Sequence, residues 1–197
     1  MTKVKFCGLF REEDITAANE LAPDFVGFVF FKKSKRYVTP EKALELKQKL
    51  NPKIKAVGVF LDESIENIAE IANKKIIDII QLHGKEDAKF IAELKKITSL
   101  PIIKAIQITS EVPAETKNFG ADYILFDAGI GEGKTFDWEI LKNVDYPYFL
   151  AGGLTVENIK TAMTKLNPYA VDVSSGIETN GVKDKTKMKM FMENIKN

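Results

Sequence analysis

The chain repeats one pattern from end to end: a short apolar run that reads as a strand, a glycine or polar break, then a helical stretch. Strands are expected at 4–7, 25–30, 55–60, 77–82, 102–105, 123–126, 148–151 and 170–173. Helical segments are expected between them. They run from about Arg11 to Leu21, from Pro40 to about Leu50 with Thr39 as N-cap, and onward from a Ser64 cap. Further segments span about Glu86 to Ile97, Ser110 to Phe119 (weakened by Pro113) and Trp138 to Lys142. Two more run from Thr155 to about Leu166 and from Lys185 to Lys196. Such alternation requires a parallel sheet with helical crossovers. Eight repeats predict closure into a single-domain (β/α)8 TIM barrel of eight parallel strands over residues 1–197. An open doubly wound sheet is the competitor. It would carry a Gly-rich dinucleotide fingerprint after the first strand, which Cys7-Gly8-Leu9-Phe10-Arg11 lacks.

Composition narrows the function classes. The 29 basic and 28 acidic residues nearly cancel, which argues against a nucleic-acid-coating surface. A single cysteine, Cys7, excludes an intramolecular disulfide and a cysteine-cluster zinc site. The longest apolar run, from Phe25 to Phe31, is too short to span a bilayer, and the polar N-terminus lacks a signal-peptide core. The expected location is cytoplasmic. No His/Asp/Glu spacing suggests a metal, and no protein partner is evident.

In a barrel of this kind the active site lies at the C-terminal ends of the strands. Cys7 ends strand one, His83 follows strand four and Asp127 follows strand six. Strand parity sends Lys5, Cys7, Gln81, His83, Asp172 and Ser174 toward the barrel axis. Strands seven and eight break into Gly152-Gly153 and Ser174-Ser175-Gly176. Paired turns of small residues offer converging N–H groups, the metal-free way to hold a phosphate; singly, each reads as an ordinary strand-to-helix turn. Cys7 reads as a small buried hydrophobe or as a reactive thiol. Asp127 reads as a turn carboxylate or a reactant, and Asp137 as a helix cap. His83 is a general base, a hydrogen-bond donor or a packing residue. Lys32, Lys33, Lys35 and Arg36 form a basic loop after strand two, from which Arg36 is the choice for clamping a carboxylate bidentately. Asp172 reads as an inward polar support paired with Lys5.

The blocks VKFCG, REED, GFVFFKKSKRYV, AVGVF, IIQLHG, LFD, GKTFDW, LAGGLTVENI and VDVSSGIETNGVKD follow one another along the whole chain. In content and order they resemble the phosphoribosylanthranilate isomerases. The resemblance implies a (β/α)8 barrel catalysing an Amadori rearrangement in tryptophan biosynthesis, with no cofactor and a small phosphosugar–anthranilate substrate. It implies that Cys7 is the general base, Asp127 the general acid, Arg36 the ligand of the anthranilate carboxylate and His83 a substrate contact. Gly153, Ser174, Ser175 and Gly176 are then the phosphate site. The chain departs from the family pattern at Leu9-Phe10-Arg11, and at Ile130-Gly131-Glu132-Gly133, where Glu132 adds a charge near an anionic substrate. Neighbouring readings are indole-glycerol-phosphate synthase, kept alive by Lys5 and Lys104, a histidine-pathway sugar isomerase, and a binding barrel without catalysis.

Overall fold

The computed structural model describes residues 1–108, 110–127 and 137–196. Eight strands form a closed parallel barrel in chain order: β1 (Lys3–Cys7), β2 (Phe25–Val29), β3 (Lys55–Phe60), β4 (Ile79–Leu82), β5 (Ile102–Gln107), β6 (Tyr123–Asp127), β7 (Tyr148–Leu150) and β8 (Ala170–Val173). Around it lie α1 (Glu12–Leu21), α2 (Pro40–Lys49), α3 (Ile65–Asn73), α4 (Ala88–Lys95), α5 (Ile159–Lys165) and α6 (Lys185–Lys196). The expected helices after β5 and β6 are short 3-10 turns, Ala114–Phe119 and Trp138–Leu141. The first starts just past Pro113, which has no N–H to give an earlier turn. The expected barrel is therefore observed, with eight helical segments among the described residues.

Local chemistry sets several of these boundaries. The Thr39 hydroxyl accepts from Lys42 N and Pro40 occupies the first turn, so α2 starts where expected. Ser64 does the same for α3 through Asn67 N. Thr155 behaves differently. Its hydroxyl accepts from the amides of Glu157 and Asn158 in a turn, and α5 begins only at Ile159. Asn158 closes that turn, accepting from Thr155 N and donating to Gly153 O at 2.8 Å, so the polar side chain shapes the loop after β7.

Strand alternation separates two apolar layers. Val4, Phe6, Val26, Phe28, Ile80, Leu82, Val171 and Val173 face outward and pack with Ile15, Leu46, Ile68, Ile91 and Phe191 of the helices. Phe25, Val57, Ile79, Ile103, Leu125, Phe149 and Ala170 fill the axis. Towards the N-terminal end that filling is aromatic: Phe149 meets Phe25 at 5.5 Å, Tyr123 at 5.7 Å and Tyr169 at 5.7 Å between ring centroids. The aromatic plug fills the N-terminal end of the barrel, and the inward polar groups further along the axis, Cys7 and Asp172 among them, line a cavity at the C-terminal mouth.

A hairpin follows β8. β9 (Glu178–Thr179) pairs antiparallel with β10 (Val182–Lys183) across Asn180 and Gly181, whose φ angles are +54° and +79°. Two consecutive left-handed residues make the turn that suits a two-residue hairpin, and Asn-Gly is its preferred sequence.

Candidate active site

β1 brings two inward side chains to the mouth in succession. Lys5 is fully buried and lies beside Asp172 of β8 in register, with its Nζ 2.7 Å from Asp172 Oδ2. Cys7, one inward position further on, is partly exposed. Space for its sulfur comes from Gly27 on β2, where a Cβ would stand 2.8 Å from Cys7 Sγ and 3.3 Å from Lys5 Nζ. Burial pushes the Cys7 thiol above its usual range; the nearby charges of Lys5 and Lys183 oppose that, while Asp172 adds to it. Burial works against the Lys5 charge more than any single neighbour supports it, but Asp172 and Cys7 together outweigh burial and hold its pKa above the usual lysine range.

β4 and β6 supply the facing wall. His83 Nε2 lies 3.2 Å from Asp127 Oδ2, and Gln81 Nε2 lies 3.0 Å from His83 Nδ1. With the Gln81 amide as donor, Nδ1 accepts and the ring proton sits on Nε2, facing Asp127. The turn after β7 bends sharply, with φ of +86° at Gly152 and +63° at Gly153, values open to glycine at little cost. After β8, the Ser174 hydroxyl donates to Cys7 O at 3.0 Å. Gly176 abuts the loop of β7 so closely that a Cβ would lie 1.9 Å from Leu154 O. Gly176 thus binds the two turns together, whereas Gly152, Gly153, Ser174 and Ser175 line the cavity.

That cavity, of about 290 Å³, is lined by Cys7, Arg36, Gln81, His83, Asp127 and Asp172 as well as the two turns. Within the basic loop only Ser34 and Arg36 reach it, and Lys32, Lys33 and Lys35 stay exposed. A larger, shallower groove of about 910 Å³ at the opposite end, around Tyr146, Tyr148 and Tyr169, contains none of the candidate residues. Beside the smaller cavity, Asp172 Oδ1 is buried without a hydrogen-bond partner among the described residues.

One side chain differs from its sequence expectation. Lys104 points out of the barrel, donating to Gly84 O at 2.6 Å and Glu86 Oε2 at 2.8 Å. Together with the Lys5–Asp172 pair this leaves no lysine in the cavity lining among the described residues, which removes the support for a lysine-based lyase. Asp137 is a cap, as expected, accepting from Glu139 N. The Ile130-Gly131-Glu132-Gly133 segment lies outside the described residues.

Sequence reasoning missed Glu178, whose carboxylate takes Arg36 Nε and Nη2 at 2.7 Å each. Asn180-Gly181 marks a hairpin next to Glu178 in the sequence, but nothing local says where that hairpin lies. Among the described residues, no group of three or more metal-ligating side chains comes together, and no helix is long and apolar enough to cross a membrane.

Comparison with known proteins agrees over the full length. Residues 4–194 match the family model described as N-(5'phosphoribosyl)anthranilate (PRA) isomerase. An N-(5'-phosphoribosyl)anthranilate isomerase from a Thermoanaerobacter species is 48% identical, the alignment covering 100% of this chain and 98% of that protein. The crystal structure of phosphoribosyl anthranilate isomerase from Thermotoga maritima superposes with a TM-score of 0.91 at 38% identity, covering 100% of this chain and 99% of the other. Another solved structure, an isomerase in complex with reduced 1-(o-carboxyphenylamino)-1-deoxyribulose 5-phosphate, gives a TM-score of 0.88 at 37% identity, with coverages of 100% and 99%.

Proposed function

From the premise that this chain belongs to the N-(5'-phosphoribosyl)anthranilate isomerase family, we propose the roles of its residues in the reaction. The reaction turns N-(5-phosphoribosyl)anthranilate into 1-(2-carboxyphenylamino)-1-deoxyribulose 5-phosphate, a step of tryptophan biosynthesis. Asp127, carrying a proton, delivers it to the furanose ring oxygen as the ring opens. The substrate nitrogen becomes an iminium, which makes the proton on sugar carbon 2 acidic. Cys7 removes that proton, and the resulting enolamine tautomerises to the ketone. The nitrogen is the electron sink throughout, so the chemistry is acid–base chemistry.

The observation that carries this reading is that Cys7, Asp127 and Arg36 line one cavity. Their order round the barrel fits the substrate. Asp127 ends β6, the turns holding Gly153 and Ser174 follow β7 and β8, Cys7 ends β1, and Arg36 lies beyond β2. The phosphate then rests on the turns at Gly153, Ser174 and Ser175, which Gly176 holds together, between the acid and the base. Arg36 takes the anthranilate carboxylate, and His83 contacts substrate while holding Asp127 in place. Anchoring both ends of the substrate aligns carbon 2 with the thiol, which is the positioning part of the rate gain.

Purified protein should consume phosphoribosylanthranilate, followed as loss of its fluorescence. Wild-type protein that turns over none of it would sink the assignment. Arg36→Ala should raise KM by about ten- to a hundredfold, the range expected for losing a charge-assisted hydrogen bond. An unchanged KM would remove the carboxylate contact.

A further inference from the structure

We infer that Glu178 is a positioning residue for carboxylate recognition: by occupying one edge of the Arg36 guanidinium it fixes the other edge for the substrate. This rests on the reading that Arg36 binds the anthranilate carboxylate.

The geometry starts in the Asn180-Gly181 hairpin. Its register sets Glu178 opposite Lys183, and Lys183 Nζ reaches Glu178 Oε1 at 2.5 Å. The Lys183 side chain is fully buried, and its ammonium also donates to Ser174 O at 3.0 Å. Lys187 Nζ donates to the Glu178 backbone carbonyl at 2.7 Å. The carboxylate is therefore held from behind before it meets Arg36. Burial pushes its carboxyl group up, but the Arg36 and Lys183 hydrogen bonds prevail, so it stays ionised.

Arg36 is held along its length. Its stem crosses Gly8 so closely that a Cβ there would stand 2.4 Å from Arg36 Cδ. Its head gives Nε and Nη2 to the two Glu178 oxygens, at 2.7 Å each. A guanidinium carries five N–H donors in one plane. Glu178 takes one from each of those nitrogens, which leaves Nη1 and the second Nη2 proton as an end-on fork of the shape a carboxylate accepts. An arginine otherwise loses rotamer freedom when it binds, and a guanidinium fixed beforehand avoids most of that cost.

The test compares two substrates, phosphoribosylanthranilate and N-(5-phosphoribosyl)aniline, which lacks only the carboxylate, on wild type, Arg36→Ala and Glu178→Gln. Glu178→Gln should raise KM for the anthranilate substrate by about tenfold, with a much smaller change for the aniline substrate and in kcat. Equal changes on both substrates would make Glu178 merely structural, and no change would make it irrelevant; either overturns the inference. A fall in KM would show that Glu178 competes with the substrate for Arg36, which overturns it too. The Arg36→Ala comparison separates the two claims. If that variant penalises both substrates alike, the carboxylate reading of Arg36 itself has failed. If it penalises only the anthranilate substrate while Glu178→Gln does not, the failure belongs to Glu178. Glu178→Asp carries the same comparison if Glu178→Gln does not fold, since it keeps the charge facing Lys183 but is one methylene too short to span the fork.

Discussion

Cys7→Ala and Asp127→Asn are each expected to lower kcat by at least about a hundredfold, within the 10²–10⁴ range of a lost general base or acid. Both substitutions are mild for the fold. Asparagine keeps the shape of Asp127 and an oxygen for His83 Nε2, now 3.2 Å from Asp127 Oδ2. Alanine at position 7 removes only a partly exposed sulfur at the mouth. KM should change little, because neither group is assigned to an anchored end of the substrate. Steady-state rates at saturating substrate read the effect directly. The double variant should fall little below the worse single one, since acid and base serve one reaction coordinate and their losses do not add. Near-normal kcat in either single variant would remove that residue from its role.

The barrel was readable because its strands are short, bounded by glycine or polar breaks and repeated at even spacing. Parity worked where one face of a strand carried polar residues. Lys5 and Cys7 against Val4 and Phe6, or Asp172 against Val171 and Val173, left one choice of orientation. On β5 it gave no answer. Ile102 and Ile106 face the helices while Ile103 and Ala105 face the axis, so both faces are apolar and Lys104 could be assigned to either. Register decides it, because Lys104 pairs with the outward Leu82. The partner of Arg36 was hidden for a different reason. Glu178 is 142 residues away along the chain, and nothing local indicates that the β9–β10 hairpin folds back over the β2 loop. Thr155 misled because the same hydroxyl geometry that caps a helix also closes a turn.

Lys5→Met should destabilise the protein and move the reactivity of the Cys7 thiol to more alkaline pH, two effects with one electrostatic origin. Methionine keeps the bulk of Lys5 but leaves the Asp172 carboxylate, only 8% exposed, without its 2.7 Å partner. Removing one member of a buried pair costs about 3–5 kcal/mol. For a chain of this size that lowers Tm by on the order of ten degrees, readable by thermal or denaturant unfolding. A loss well under 1 kcal/mol would mean that Asp172 finds solvent or another donor. The pH effect follows from Cys7. Burial already raises its pKa, and the Lys5 charge opposes that rise. The thiolate is the reactive form, so the rate at which iodoacetamide alkylates Cys7 should climb with pH and continue past the ordinary cysteine value of about 8.5; kcat/KM does not read the thiol alone, because Asp127 must also keep its proton. Without Lys5 the thiol holds its proton more tightly still, and the rising limb should shift further up. Stability has the matching sign. A folded-state pKa above the unfolded one favours the fold fully below the ordinary value, and this contribution is lost as pH rises through the folded-state value. Cys7→Ala should therefore flatten the alkaline decline in wild-type stability. An alkylation rate already level at neutral pH would instead show a Cys7 thiolate held well below its ordinary pKa, against the effect of its burial.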